Sequence, residues 1–253
     1  MEQIDNIGFG GLKLIQDKEQ FCYGVDAVIL ADFANSLYPE FAHAVDLGTG
    51  NGIIPFILSY KNPDAVITGI EVQTAAVEMA RRSCMMNGLS ERIDFIEADV
   101  KDICSGSAAS QEFLSENDMM PGSIDMVTCN PPYFIKGGAI PNSSSARFIA
   151  RHETTAVLED FVKAAAVLLK RQGHLFMVHR PSRLVDIFYY CRKHGLEPKD
   201  MRMVVPGNGE AANIVLIHCT KGGGKELRIM KELAVYGEDG DYSEEIHRIY
   251  ERC

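Results

Sequence analysis

"VDLGTGNG", residues 45–52, decides the fold. An apolar run meets an acid, and glycines then stand at positions 48, 50 and 52. Glycines at this spacing let the chain turn sharply, adopt positive φ and admit a ligand against the backbone. "HAV" before the stretch reads as a buried strand, and "NGIIPFILSYK" after it reads as a helix. A strand that turns through glycines into a helix is the opening unit of a doubly wound sheet, whose ligand crevice lies at the C-terminal ends of the strands.

The unit repeats outward along the chain. "DAVITGIEV" (64–72) is a second strand, and "QTAAVEMARRSCMMNG" (73–88) is an amphipathic helix closed by Gly88. "ERIDFIEADV" (91–100) and "SIDMVTCN" (123–130) are the third and fourth strands. "TAVLEDFVKAAAVLLKRQG" (155–173) predicts a long helix, capped by Thr154 or Thr155 and stopped by Gly173. "HLFMVHR" is a fifth strand and "PSRLVDIFYYCRKHG" a helix with Pro181 at its start. "EPKDMRMVVP" and "AANIVLIHCT" follow with no helix between them, which predicts an antiparallel pair. The expected architecture is α/β and Rossmann-like: seven strands, mostly parallel, with an antiparallel C-terminal edge strand and helices on both faces.

Three segments organise the chain. Residues 1–43 form an N-terminal extension, with a hairpin in "LKLIQDKEQFCYG" and a helix in "VDAVILADFANSL"; 44–220 form the main domain; 221–253 form a tail with a short strand near Leu233–Tyr236 and a helix capped by Ser243. Residues 104–123, small and polar, read as an inserted loop with one short helix. The N-terminus lacks a basic segment followed by an apolar one, and no apolar run approaches bilayer length, so the expected location is the cytoplasm.

Seven cysteines occur without a C-x-x-C pair, and seven histidines without H-x-x-x-H spacing. Buried reduced thiols are expected, and no metal site. The net charge of −10 argues against a protein that coats nucleic acid generally. Residues 130–183, however, carry eight basic and three acidic side chains, +5, which leaves −15 for the remainder. A locally basic face on an acidic chain suits a specific polyanion.

The glycine turn presents Asp46, Gly48, Gly50 and Asn51 to a ligand, and Glu71 ends the next strand 23 residues after Gly48. A dinucleotide needs a third glycine or alanine in G-x-G-x-x-G, and here Ile53 stands in that place. S-adenosylmethionine carries no pyrophosphate and asks for acids instead. Asp46 suits its cationic end and Glu71 its ribose. Asp99 can accept from the adenine amine, and the Val100 backbone can meet the ring edge.

"NPPY", residues 130–133, closes the fourth strand, beside the first strand in such a sheet. A ring-conjugated amine or an amide nitrogen is a poor nucleophile because its lone pair is delocalised. The Asn130 side-chain oxygen and the Pro131 carbonyl can accept its two N–H bonds and aim the lone pair at a methyl donor. Pro131 and Pro132 stiffen the backbone and remove donors. Tyr133, with Phe134 beside it, offers a face for a planar target. Catalysis is then mainly positioning.

The order "VDLGTGNG", "GIEV", "EADV", "CNPPY" resembles class I S-adenosylmethionine-dependent methyltransferases of the amino-methylating branch. "FCYGVDAVILADF" (21–33), "ARFIARHE" (146–153) and "AVYGEDGDYSEEIHRIYERC" (234–253) resemble the bacterial tRNA(Val) adenine-37 N6-methyltransferase family, although "IMKELAVY" lacks the proline pair expected before the tail. The resemblance implies methyl transfer to the N6 of an adenine beside a tRNA anticodon. It implies that Asn130, Pro131 and Tyr133 hold the amine, that Asp46, Glu71 and Asp99 hold the cofactor, and that Asp26 closes the methionine end. Lys136, Arg147, Arg151, Arg180 and Lys221 are expected to meet phosphates around the mouth. A tRNA substrate, no membrane, no metal and a monomer or weak homodimer complete the expectation.

Three other readings compete. A release-factor glutamine N5-methyltransferase or an rRNA or DNA adenine methyltransferase shares the N-P-P-Y motif. The protein enzymes carry a larger helical N-terminal domain by resemblance. A non-catalytic protein that binds cofactor and RNA has no use for Asn130 and Tyr133, and a nicotinamide-dependent oxidoreductase is opposed by Ile53.

Overall fold

The computed structural model describes residues 2–17, 23–133 and 156–251. The chain opens with β1 (Glu2–Asn6) and β2 (Lys13–Asp17), an antiparallel hairpin joined by a 3-10 turn at Phe9–Gly11. The hairpin expected in residues 12–24 falls partly on residues 18–22, which lie outside the described residues; its first half is β2, which pairs with β1. β2 also lies against α3, where the Ile15 amide donates to the Ser83 hydroxyl. Next come α1 (Val25–Leu37), β3 (His43–Leu47), α2 (Ile53–Lys61), β4 (Val66–Glu71), α3 (Thr74–Met86) and β5 (Ile93–Glu97). The one-turn α4 (Val100–Ile103), α5 (Ala108–Glu116) and β6 (Ile124–Cys129) lead to the active end of the sheet. Residues 104–123 thus hold one short helix, as expected.

Beyond the undescribed segment, α6 (Leu158–Leu168) runs directly into β7 (Leu169–His179). This corrects the long helix drawn to Gly173. Leu168 and Leu169 are both fully buried, and Leu169 pairs with Ile124 of β6, so strand pairing takes over where the apolar run read as helix. A Cβ at Gly173 would approach the Ile124 carbonyl to 3.1 Å, which explains the glycine. Thr154 and Thr155 lie outside the described residues; Asp160 accepts from the Val157 amide at 2.8 Å and caps α6 instead.

The chain closes with α7 (Leu184–Lys193), β8 (Leu196–Val205), β9 (Ile214–Lys221), the short β10 (Arg228–Ile229) and β11 (Leu233–Ala234), and α8 (Glu244–Ile249). Ser243 caps α8 by accepting from the Ile246 amide.

The main sheet has the order β10-β8-β9-β7-β6-β3-β4-β5, with β11 also paired to β8. β7, β6, β3, β4 and β5 are parallel neighbours, and β9 runs antiparallel to both β7 and β8. The expected antiparallel edge is therefore a pair, with the reversed strand one place in from β8. Reversal at β9 sends Lys221 to the end of the sheet where β7 begins, and its Nζ donates to the Leu169 carbonyl. Lys221 is thus remote from Asn130, at the other end of β6, and the phosphate role expected for it is not supported.

Each face buries its own apolar cluster. One holds Phe33 of α1, Phe56 of α2 and Val77 of α3 against Phe95 and Phe176. The other holds Phe161 of α6 and Ile187 of α7 against Val45, Val127 and Met177. A fully buried Phe contributes about 2–3 kcal/mol relative to exposure. These clusters hold the strand ends in register and fix the positions of the side chains beyond them. Of the cysteines described, Cys84, Cys104, Cys129, Cys191 and Cys219 are buried free thiols.

Candidate active site

The site is built on the C-terminal ends of β3, β4, β5 and β6. After β3 the chain takes positive φ at Gly48 (72°), Gly50 (57°) and Gly52 (88°). The Gly48 and Thr49 amides both donate to the Ile70 carbonyl, at 2.8 and 3.0 Å, and so fasten the turn to β4. A Cβ at Gly52 would stand 2.6 Å from the Phe95 ring, so only glycine fits.

Glu71 ends β4 beneath this loop. Its Oε2 accepts from the Gly50 amide at 3.0 Å; its Oε1 accepts from the Val72 and Gln73 amides at 3.0 and 3.1 Å. Burial pushes this carboxyl above the ordinary range, with the backbone donors opposing the shift. Asp99 follows β5 and caps α4, its Oδ1 accepting from the Lys101 amide at 3.0 Å. The next residue, Val100, is buried.

Asp46 lies deeper, only 1% exposed. The Thr128 hydroxyl donates to its Oδ1 at 2.6 Å. Its Oδ2 and the Thr49 hydroxyl are buried close by, and that hydroxyl also helps to hold the carboxyl down. Burial raises the Asp46 carboxyl from 3.8 to about 7, against the Thr128 and Thr49 hydroxyls.

Asn130 leaves the end of β6. Its Nδ2 donates to Asp26 Oδ2 at 3.3 Å, and its Oδ1 lies 2.9 Å from the Tyr133 hydroxyl, which is also 2.9 Å from Asp26 Oδ2. Burial, then the neighbouring Asp26 carboxylate, holds the Tyr133 phenol well above its usual range. The Tyr133 ring packs against His179, centroids 5.1 Å apart, with the Arg180 guanidinium 5.0 Å from its centroid. The His179 imidazole is pushed down to about 4 by burial and then by Arg183 and Arg180, and its Nδ1 accepts the Arg180 amide at 2.7 Å. A neutral imidazole therefore backs the tyrosine at neutral pH.

A cavity of about 270 Å³ joins these groups. Gly48, Gly50, Asn51, Glu71, Asp99 and Val100 line it, and so do Asp26, Asn130 and Pro132. Asp46, Pro131 and Tyr133 are not on its wall: Asp46 sits beneath the loop, Pro131 is buried, and Tyr133 stands beside Asn130. Phe134, Lys136, Arg147 and Arg151 lie outside the described residues. Phe161 also lines the cavity, from α6, where a Cβ at Gly48 would meet its ring at 3.1 Å. The sequence offers no signal for that role, because an aromatic on an amphipathic helix reads as core.

The wall chemistry is selective. Among its described residues are three carboxylates, Asp26, Glu71 and Asp99, and no Lys or Arg. A pyrophosphate has no cation there to meet. A cationic adenosyl ligand does fit, with the Asp26, Glu71 and Asp99 carboxylates on the wall to receive its polar groups.

The methyltransferase small domain profile matches residues 25–186. The chain belongs to this family. It is 33% identical over 178 residues to the tRNA1(Val) (adenine(37)-N6)-methyltransferase of Porphyromonas gingivalis, an alignment covering 68% of this chain and 64% of the relative. Over 89 residues, 35% of this chain and 26% of the relative, it is 38% identical to the release factor glutamine methyltransferase of Chlorobaculum tepidum. A predicted O-methyltransferase from Agrobacterium tumefaciens superposes with a TM-score of 0.69 at 22% identity, covering 89% of this chain and 95% of that one. The fold is thus that of the class I methyltransferases. Among the described residues no helix is long and apolar enough to cross a membrane, and no group of three or more His, Cys, Asp or Glu is placed to hold a metal.

Proposed function

We propose that this chain transfers a methyl group from S-adenosylmethionine to the exocyclic N6 of an adenine in tRNA, at adenine 37 of tRNA(Val). The observation that carries the reading is Asn130, whose amide stands at the rim of an acid-lined cavity without basic side chains among its described residues. The likeness to the Porphyromonas gingivalis enzyme supplies the acceptor. The cofactor, when bound, supplies an electrophilic methyl on a sulfonium.

The chain's own residues do the rest. Glu71 offers acceptor oxygens to ribose hydroxyls, and Asp99 an acceptor to an adenine amine. Asn130 Oδ1 and the Pro131 carbonyl accept the two N–H bonds of the target amine and so relieve its conjugation. The methyl's bond to sulfur would break as its bond to nitrogen forms, and the nitrogen's proton, made acidic, would leave to solvent, so no strong base is needed. Tyr133, backed by His179, gives the adenine a surface to stack on. The enzyme acts as a monomer or weak homodimer in the cytoplasm, where its RNA substrate resides.

Methylation of a release-factor glutamine is the second reading, favoured by the 89-residue likeness to the Chlorobaculum tepidum enzyme. Labelled cofactor incubated with tRNA lacking the modification, and in parallel with release factors, separates the two. Label in tRNA, lost in Asn130→Ala, supports the proposal. Label in the release factor alone overturns the RNA acceptor and leaves the motif's role intact.

A further inference from the structure

We infer that Asp26 is a positioning residue that sets the rotation of the Asn130 amide. The inference rests on the transfer reading. A primary amide can turn either end toward its target, and only one end is useful here. Oxygen must face the acceptor amine; an NH2 would repel it. Nothing in the sequence of the N-P-P-Y turn decides between the two.

Asp26 decides it. An ionised carboxylate only accepts, so the NH2 end of Asn130 is the end that turns to it. The Nδ2 to Oδ2 distance is 3.3 Å across 104 residues of sequence. The Asn130 oxygen then faces the Tyr133 hydroxyl at 2.9 Å. That hydroxyl has one proton and two acceptors in reach, Asn130 Oδ1 and Asp26 Oδ2, each at 2.9 Å. When a target amine donates to Asn130 Oδ1, the hydroxyl retains Asp26 as its acceptor. Tyr133 thus leaves Asn130 without losing its only partner.

The carboxylate is itself held. Its Oδ1 accepts from the Ala27 amide at 3.0 Å, in the first turn of α1, where the helix dipole favours an anion. Gly24 makes this possible, because a Cβ there would stand 2.5 Å from Asp26 Oδ1. The pair Gly24 and Asp26 is therefore one device: the glycine clears the space into which the acid folds back.

The expectation from resemblance, that Asp26 closes the methionine end of the cofactor, predicts different behaviour. As a positioning residue, Asp26→Ala lowers kcat by about 10²-fold, the loss expected for a misaimed catalytic group. Affinity for S-adenosylhomocysteine by calorimetry falls by no more than about fivefold, since Asp26 is one of three carboxylates on the cavity wall. Asp26→Asn, whose amide oxygen still accepts, recovers about tenfold of the lost rate, a gain worth one hydrogen bond. In an Asn130→Ala background, Asp26→Ala adds no more than about twofold, because two residues in one network are not additive. A large fall in S-adenosylhomocysteine affinity with kcat unchanged at saturation, or losses that simply add to those of Asn130→Ala, overturns the inference.

A readout without turnover covers failure of the transfer reading. In the ¹⁵N spectrum, the Asn130 side-chain amide is identified by its loss in Asn130→Ala. It should shift and exchange faster in both Asp26→Ala and Gly24→Ala. An amide signal unchanged in both variants refutes the inference, whether or not tRNA is methylated.

Discussion

Asp46→Asn should flatten the pH dependence of stability in the protein without cofactor. The wild-type carboxyl is 1% exposed, and burial lifts it from 3.8 to about 7. Between those values the folded chain holds a proton that the unfolded chain has released. Unfolding therefore gives up a proton, and stability falls as pH rises across the window, staying low above it. A shift of about three pH units corresponds to about 4 kcal/mol, at 1.36 kcal/mol each. Asn keeps an oxygen for the Thr128 hydroxyl and carries no charge. Its NH2 replaces Oδ2 beside the Thr49 hydroxyl, and any cost of that is the same at every pH. The slope is therefore the diagnostic quantity. Urea denaturation at pH 4 to 8 should show the wild type losing about 4 kcal/mol relative to the variant. The same titration should appear in binding: S-adenosylmethionine, as a cation, binds more tightly to wild type as pH rises through about 7, and Asp46→Asn removes that rise. Parallel stability curves for the two proteins refute the assignment of a buried, high-titrating Asp46.

Three further outcomes follow from the site's construction. Gly52→Ala should destabilise the fold by about 2–4 kcal/mol, since strain and overpacking combine where a Cβ meets Phe95 at 2.6 Å. Gly50→Ala, with open space around its Cβ but φ of 57°, should cost only about 1–2 kcal/mol by thermal denaturation. Arg180→Glu should weaken tRNA binding and reduce its salt slope by about 1, whereas Lys221→Glu, at the other end of the sheet, should leave both unchanged.

The parts of this molecule that local chemistry writes were legible in the chain. "VDLGTGNG" gave the turn after β3, because its positive φ values favour glycine, and the acids at the ends of β4 and β5 were found by position. Helix α1 was read correctly from Val25 to Leu37. The boundary at Leu168 and Leu169 was not, since an apolar run such as "AAAVLL" is the same on a helix and in a buried strand. Strand β1 was not read, because its five residues carry a single apolar side chain and its partner β2 lies beyond the turn. Lys221 was misplaced for a topological reason: reversal of β9 turns its C-terminal end away from the mouth. The contact of Asp26 with Asn130 was invisible, since no local pattern encodes a meeting across 104 residues. Phe161 likewise reaches the cavity only through the packing of α6.

The central claim is adenine methylation by the Asn130 site. The most direct test gives the enzyme two transcripts of tRNA(Val), one with adenine 37 and one with guanine in its place, and digests each to nucleosides for mass spectrometry. N6-methyladenosine is expected from the first transcript alone, and from neither with Asn130→Ala. N6-methyladenosine in both transcripts would contradict the position. No methylated nucleoside in either, with cofactor binding intact, would contradict the RNA acceptor itself.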